Sequence, residues 1–109
     1  MTWKTINDSV TVHYPHFTMA GSIEHDPAQA ALAQVDAETG EDEVLSVDLS
    51  GYGYVPGLHE VFVKDWSEHY GFAAVLQAAG VVEIVGEVLV GPFRSRAYRV
   101  RVVPADLPR

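Results

Sequence analysis

The chain contains no cysteine and no long uncharged apolar run. The missing cysteine excludes disulfides, thiol catalysis and thiolate metal sites. Uncharged apolar stretches such as 72–82 are far shorter than the roughly 20 residues that a membrane-spanning helix needs. Residues 1–8 lack the apolar segment typical of a secretory signal. We therefore expect a cytoplasmic protein that does not cross a membrane.

Positive charge is also scarce, with 7 lysines and arginines against 15 aspartates and glutamates and a net charge of −8. Five of the basic residues are concentrated at the C-terminal end: Arg94, Arg96, Arg99, Arg101 and Arg109. The rest of the chain would repel nucleic-acid phosphates, so direct nucleic-acid binding is disfavoured. A basic protein partner fits this charge better.

A length of 109 residues and 48% apolar composition indicate one globular domain spanning 1–109. Period-two alternation and valine-rich runs predict β-strands separated by turn residues. A polar turn at 7–9 would join the first two strands, and Gly91-Pro92-Phe93 would join the last two. The predicted strands are 3–6, 10–14, 45–49, 59–64, 81–90 and 97–103.

Two helices are predicted from capping signals followed by apolar residues at helical spacing. Asp26, followed by proline and by Gln29 three residues on, has the pattern of a capping box. Its apolar face would hold Ala28, Ala31, Leu32 and Val35. A second helix would be capped by Asp65 or Ser67 and end at Gly80, with Phe72, Val75, Leu76 and Ala79 buried. The order is then ββαββαββ, an α+β fold with a mostly antiparallel sheet and two helices on one face.

Histidines and carboxylates offer a weak case for chemistry. His59-Glu60 resembles the start of a zinc-protease motif, but position 63 is valine and the segment is strand-like. A small enzyme or metal-dependent site using His59, Asp65 and His69 is therefore kept as the alternative hypothesis. No catalytic residue, metal site or cofactor is assigned.

Three groups of residues are better suited to binding a partner. Tyr52 and Tyr54 lie in a glycine-flanked loop, where tyrosines make good contact residues, although they could equally cap the core. The segment 36–43 holds five carboxylates in eight residues, including Glu41, Asp42 and Glu43, and should be an exposed loop. On the last strand Arg99 and Arg101 would face solvent, either to bind an acidic group or to protect an exposed edge.

The middle and end of the chain resemble a family of small uncharacterised proteins carried by phages, plasmids and integrative elements. The resemblance covers residues 45–103 and rests on the runs LSVDLSGYGY (45–54), VFVKDWSEHYG (61–71) and LQAAG (76–80). It implies a strand ending in a glycine–aromatic loop, a strand running into a capped helix, and a closing hairpin. It implies no activity and therefore no catalytic residue.

We therefore predict a non-catalytic interaction protein, an accessory factor of a phage or mobile element that binds a host protein through its acidic surface. In one version the carboxylates imitate the phosphates of DNA. A further hypothesis is a homodimer formed by pairing of the C-terminal edge strand.

Overall fold

Seven β-strands and one α-helix form the regular structure of residues 3–104, the part of the chain that this computed structural model describes. In chain order the elements are β1 (Lys4–His13), β2 (Thr18–Asp26), β3 (Ala31–Asp36), β4 (Asp42–Val44), β5 (Glu60–Lys64), α1 (Phe72–Ala78), β6 (Val82–Val90) and β7 (Ser95–Val102). Short 3-10 turns, Ser50–Tyr52 and Ser67–His69, lie before and after β5. The predicted α+β class with antiparallel pairing is confirmed.

The strands form two sheets, in the orders β1-β2-β3-β4 and β5-β7-β6, which the segment after β4 joins. The Leu45 N–H donates to the Leu32 carbonyl of β3 at 2.9 Å. The next residue, Ser46, forms an isolated antiparallel bridge with Val63 of β5. Residues 45 and 46 therefore connect β3 of one sheet to β5 of the other.

One hydrophobic core is shared by both sheets and α1. Its fully buried members include Val12, Ile23, Leu32, Leu45, Val61, Val63, Phe72, Leu76, Val81 and Val100. Because side chains alternate across a strand, Phe62 points to the opposite face of β5. There it forms a second, smaller cluster with Leu49, Val90 and Ala97. This second cluster forms the base of the surface described below.

The helix predicted to begin at Asp26 is wrong, because residues 26–30 form a turn that leads into β3. The Asp26 carboxylate accepts the N–H groups two and three residues on, and the Gln29 amide donates back to it at 2.9 Å. An aspartate that stabilises a turn accepts the same backbone N–H groups as an aspartate at a helix N-cap. Ala30 then adopts a φ of 51°, which stops a right-handed helix.

The predicted N-terminal hairpin is also wrong. Strand β1 continues through 7–9, where its register with β2 shifts twice, around Asn7 and before Val10. The Asn7 side chain accepts the Ser9 N–H at 3.2 Å. The polar residues therefore form a bulge within one strand instead of a turn between two.

The C-terminal strand is not an edge. The predicted closing hairpin exists as β6 and β7, but β5 pairs with the other side of β7. Strand β7 is therefore central, and it has no free edge through which the predicted homodimer could pair. Propensity alone could not reveal this order, because β5 lies 30 residues or more before β7 in the chain.

The helix predicted near residue 70 is confirmed in shortened form as α1, and it is the one α-helix of residues 3–104. Asp65 does cap it: its carboxylate accepts the N–H groups of Gly71 at 3.0 Å and Ala73 at 3.3 Å. Phe72 and Leu76 are buried as predicted. No helix in this part of the chain has the length and apolarity to cross a membrane.

Candidate interaction surface

A loop of residues 50–58, which we name the Tyr52 loop, begins with a turn closed by Asp48. The Ser50 N–H donates to Asp48 Oδ1 at 2.9 Å. Hydrogen bonding from Ser50 lowers the pKa of the Asp48 carboxyl. The exposed Asp48 side chain is therefore ionised at neutral pH and places a negative charge at the start of the loop.

Backbone hydrogen bonds to Leu49 hold both tyrosines of this loop. The Leu49 carbonyl accepts the N–H groups of Tyr52 at 3.0 Å and Tyr54 at 3.2 Å. The Tyr54 ring meets Phe62 edge-on, with ring centroids 6.2 Å apart. On the other side, Tyr52 reaches the β6–β7 turn, since a Cβ added to Gly91 would lie 3.5 Å from its hydroxyl oxygen. The loop therefore lies over the outer face of the β5-β7-β6 sheet.

Glu60 anchors the far end of the loop to this sheet. Its Oε1 accepts the Gly57 N–H at 2.9 Å and lies 3.7 Å from Nη1 of Arg99. A Cβ at Gly57 would lie 3.0 Å from the same carboxylate oxygen, so a larger residue would crowd this contact. One carboxylate thus connects the loop, β5 and β7.

Two depressions flank the loop and share the segment 47–49. The larger, which we name the loop groove, lies between the turn 26–30 and residues 55–60 and has a volume of about 660 Å³. Its lining includes His25, Gln29, Leu49, Val55, Leu58, His59, Glu60 and Phe62. The groove is thus apolar along the loop and polar where it meets β2 and β5.

The smaller depression, which we name the aromatic pocket, has a volume of about 280 Å³. Three aromatic side chains line it, Tyr52, Trp66 and Phe93, together with Pro92 of the β6–β7 turn. The charged residue in its lining is Asp48. An ionised carboxylate therefore borders a pocket made of aromatic rings.

Large apolar side chains on this surface are unusually exposed. Val55 is 75% exposed, Leu58 is 83% exposed and Phe93 is 90% exposed. All three line one of the two depressions. Single exposed apolar residues are common, but two such residues lining the same groove, as Val55 and Leu58 do, are typical of a site that another molecule covers.

A buried histidine lines the loop groove. His25 of β2 is only 4% exposed, and its Nε2 has no hydrogen-bond partner among residues 3–104. Burial lowers the pKa of His25, the nearby His59 and Lys4 lower it further, and Asp26 opposes the shift. His25 is therefore held in its neutral form more firmly than an exposed histidine.

Acidification should accordingly reduce stability through His25. Below a pH of about 6.5 the unfolded chain binds a proton that folded His25 takes up less readily, so the free energy of unfolding falls as pH drops through that value. Urea denaturation between about pH 7.5 and 5 should show a shallower pH dependence for His25→Phe than for wild type. Val85→Ser, which replaces an exposed residue of β6 and removes no titratable group, is the control and should keep the wild-type slope. An unchanged slope in His25→Phe would contradict this assignment.

Of the predicted binding residues, the structure brings the tyrosines and the arginines to one face. Arg99 pairs across the strands with Phe62, on which Tyr54 packs. Arg101 lies on the same face, with Nη2 3.4 Å from a Glu83 carboxylate oxygen. Both arginines are therefore paired with carboxylates of neighbouring strands.

The acidic segment lies elsewhere, in the turn between β3 and β4. Glu41 and Asp42 are exposed there. Glu43 lies against the segment before α1, with its Oε1 3.0 Å from His69 Nε2 but without the alignment of a hydrogen bond. Glu43 of β4 thus lies beside the 3-10 turn before α1, and not beside the Tyr52 loop.

The three residues of the alternative hypothesis do not form one site. His59 and Asp65 lie beyond opposite ends of β5, a separation of roughly 20 Å at the rise of an extended strand. Asp65 is 6% exposed and caps α1, and the His69 ring packs on Phe72 with centroids 4.7 Å apart. No group of three or more potential metal ligands occurs among residues 3–104.

Several residues of the surface were not predicted from the sequence. Val55 and Leu58 lie beside glycine and proline, and Phe93 lies within a predicted turn, so large apolar residues in turns were the available signal. Trp66 has no such signal, because a tryptophan next to a strand is usually a core residue.

The chain matches no protein-family model, no curated protein and no solved structure in comparisons with known proteins. The function therefore has to be argued from the geometry and chemistry of this surface.

Proposed function

We propose that this protein is a non-catalytic interaction protein that binds a basic protein partner through the loop groove and the Tyr52 loop. The observation that carries the proposal is the exposure of Val55 and Leu58 on the wall of the loop groove. Covering such side chains releases roughly 25 cal/mol for each Å² of apolar surface, and a protein chain can cover both at once.

Charge selects the kind of partner. The chain carries a net charge of −8, and its sheet arginines Arg96, Arg99 and Arg101 each contact a glutamate. The remaining negative charge includes Asp48 beside the groove and the exposed Glu41 and Asp42. Complementary potential would speed association with a basic protein and disfavour acidic competitors.

The test compares capture of partners by tagged wild-type protein, the Val55→Ser/Leu58→Ser double variant and Val85→Ser. Val85 is a matched control, since it is 45% exposed and lies on β6 outside both depressions. Proteins bound by wild type and by the control should fall at least about tenfold with the double variant, because each lost anchor residue costs more than 1 kcal/mol.

Binding must then be reproduced with the purified partner by calorimetry. A negative heat-capacity change for wild type and weak binding by the double variant are expected. Equal affinity of the double variant and wild type would exclude the loop groove as the docking site.

The biological setting proposed for this activity is that of a phage or mobile-element accessory protein acting on a host protein. The resemblance of residues 45–103 and the acidic composition support it. In the DNA-mimic version, duplex DNA should compete with this protein for the purified partner. A partner that binds both at the same time would exclude DNA mimicry while leaving the docking surface in place.

A further inference from the structure

The aromatic pocket combines two features that suit an organic cation. Its lining includes three aromatic residues, Tyr52, Trp66 and Phe93, beside aliphatic side chains, and the face of an aromatic ring carries negative electrostatic potential. Its charged border is Asp48, whose exposed carboxylate accepts the Ser50 N–H and forms no ion pair within residues 3–104. Rings and a carboxylate together favour a positive group over a neutral one.

The size of the pocket limits what can occupy it. Its volume of about 280 Å³ lies just below the range of roughly 300–1,000 Å³ for sites that bury a whole small ligand. A single long side chain is a better match. The pocket also shares Val47, Asp48 and Leu49 with the loop groove, so a chain lying in the groove could place one side chain across this segment.

We propose that the aromatic pocket binds an arginine side chain of the partner protein, with the guanidinium stacked on the rings and paired with Asp48. This proposal rests on the proposed function and deepens it by naming the anchor residue. Arginine suits the pocket better than lysine, because its planar and weakly hydrated guanidinium stacks on aromatic faces and forms bidentate hydrogen bonds with carboxylates. The net negative charge of the chain also favours a positively charged side chain in this pocket.

The direct test uses a small probe, acetyl-arginine methylamide, and the neutral isostere acetyl-citrulline methylamide. Binding is followed by the indole N–H and backbone amide NMR signals, with Trp66 fluorescence measured in a Trp3→Phe background that leaves one tryptophan. The arginine probe should give saturable shifts at 47–52 and at Trp66, in the millimolar range expected for a single side chain. The citrulline probe should bind at least about fivefold more weakly, because it carries no charge.

Matched variants separate the pocket from general charge effects. Asp48→Asn keeps an oxygen that accepts the Ser50 N–H but removes the charge, and Phe93→Ala removes a 90% exposed ring. Each should weaken the arginine probe about two- to fivefold, which is the range of exposed cation–π and ion-pair contacts. Glu68→Gln removes one exposed charge elsewhere and should leave binding unchanged.

Three results would overturn the proposal: no saturable binding, equal binding of the citrulline probe, or an equal loss with Glu68→Gln. Partner capture separates this proposal from the proposed function. If Asp48→Asn and Phe93→Ala retain the partner that Val55→Ser/Leu58→Ser loses, the docking surface stands and the arginine anchor is wrong. If the double variant retains the partner, the docking surface is wrong, whatever the probe shows.

Discussion

Replacing Gly21 with alanine is expected to lower the free energy of unfolding by about 3 kcal/mol or more, which could prevent folding altogether. Gly21 lies in β2 and pairs with Val10 of β1 and Asp36 of β3. A Cβ at this position would lie 1.8 Å from the carbonyl oxygen of Val35 and 2.8 Å from its carbonyl carbon. Because both atoms belong to the backbone, no rotamer change can relieve the clash, and β2 and β3 would have to separate.

Urea denaturation of Gly21→Ala, with circular dichroism to report whether the variant folds, measures this effect. Gly51→Ala is the matched control, since a Cβ there meets nothing within 4 Å and the residue lies in an exposed turn. The control should remain within about 0.5 kcal/mol of wild type. A Gly21→Ala protein that unfolds at the wild-type urea concentration would show that β2 and β3 do not approach this closely in solution.

Gln34→Ala is expected to destabilise the fold by about 3 to 4 kcal/mol, because it leaves several buried polar groups unpaired and opens a cavity. Gln34 is fully buried in β3. Its Oε1 accepts the Tyr14 hydroxyl at 2.6 Å, and its Nε2 donates to the carbonyls of Val10 at 3.1 Å and Met19 at 3.3 Å. Val10 lies beside the irregular register of β1, so this side chain satisfies groups next to a bulge.

A double-mutant cycle with Tyr14→Phe tests whether these groups act as a network. Tyr14→Phe alone should cost about 1 to 2 kcal/mol, since it leaves the Gln34 oxygen unpaired. Gln34→Leu fills the volume and should cost less than Gln34→Ala. Tyr14→Phe combined with Gln34→Leu should cost less than the sum of the single changes, because both partners are removed together. Strict additivity would show that the two side chains are not coupled.

Gly21 and Gln34 lie in β2 and β3, the strands that position the candidate surface. Strands β2 and β3 are joined by the turn 26–30, which forms one wall of the loop groove. The other wall is formed by the loop that Glu60 anchors to β5. A variant that weakens the β2–β3 pairing should therefore weaken partner binding as well, whereas Val55→Ser and Leu58→Ser should affect binding with little effect on stability.

Sequence patterns predicted the structure correctly where it depends on residues that are close together in the chain. The closing hairpin and the apolar stripe of α1 were correct, because turn chemistry and side-chain spacing are contained in one short segment. The same local reasoning placed Tyr52 and Tyr54 in a glycine-flanked loop but left open whether they contact a partner or cap the core. The alternation at 45–49 predicted a strand, and this part is wrong, because the segment forms only an isolated bridge at Ser46. Leu45 and Leu49 are buried, but in the two different hydrophobic clusters.

Local patterns failed where two structures share the same local contacts. Asp26 accepts the N–H groups of Ala28 and Gln29 as an N-cap residue would, yet these bonds close a turn between β2 and β3. What decides between turn and helix is the pairing of the following residues with β2, which lies outside the pattern. The polar residues at 7–9 were ambiguous in the same way, since a bulge and a turn favour similar residues.

By itself, the sequence determined the antiparallel α+β class, the acidic charge, the closing hairpin and the glycine-flanked tyrosine loop. Only the tertiary structure decided that β7 is central, that its arginines are paired with glutamates, and that His59 lies at the opposite end of β5 from Asp65. It also brought Asp48 and Tyr52 of one segment together with Trp66 and Phe93 of two others in one pocket. The physical reason is that strand order and surface shape depend on contacts between residues far apart in the chain, which no local periodicity encodes.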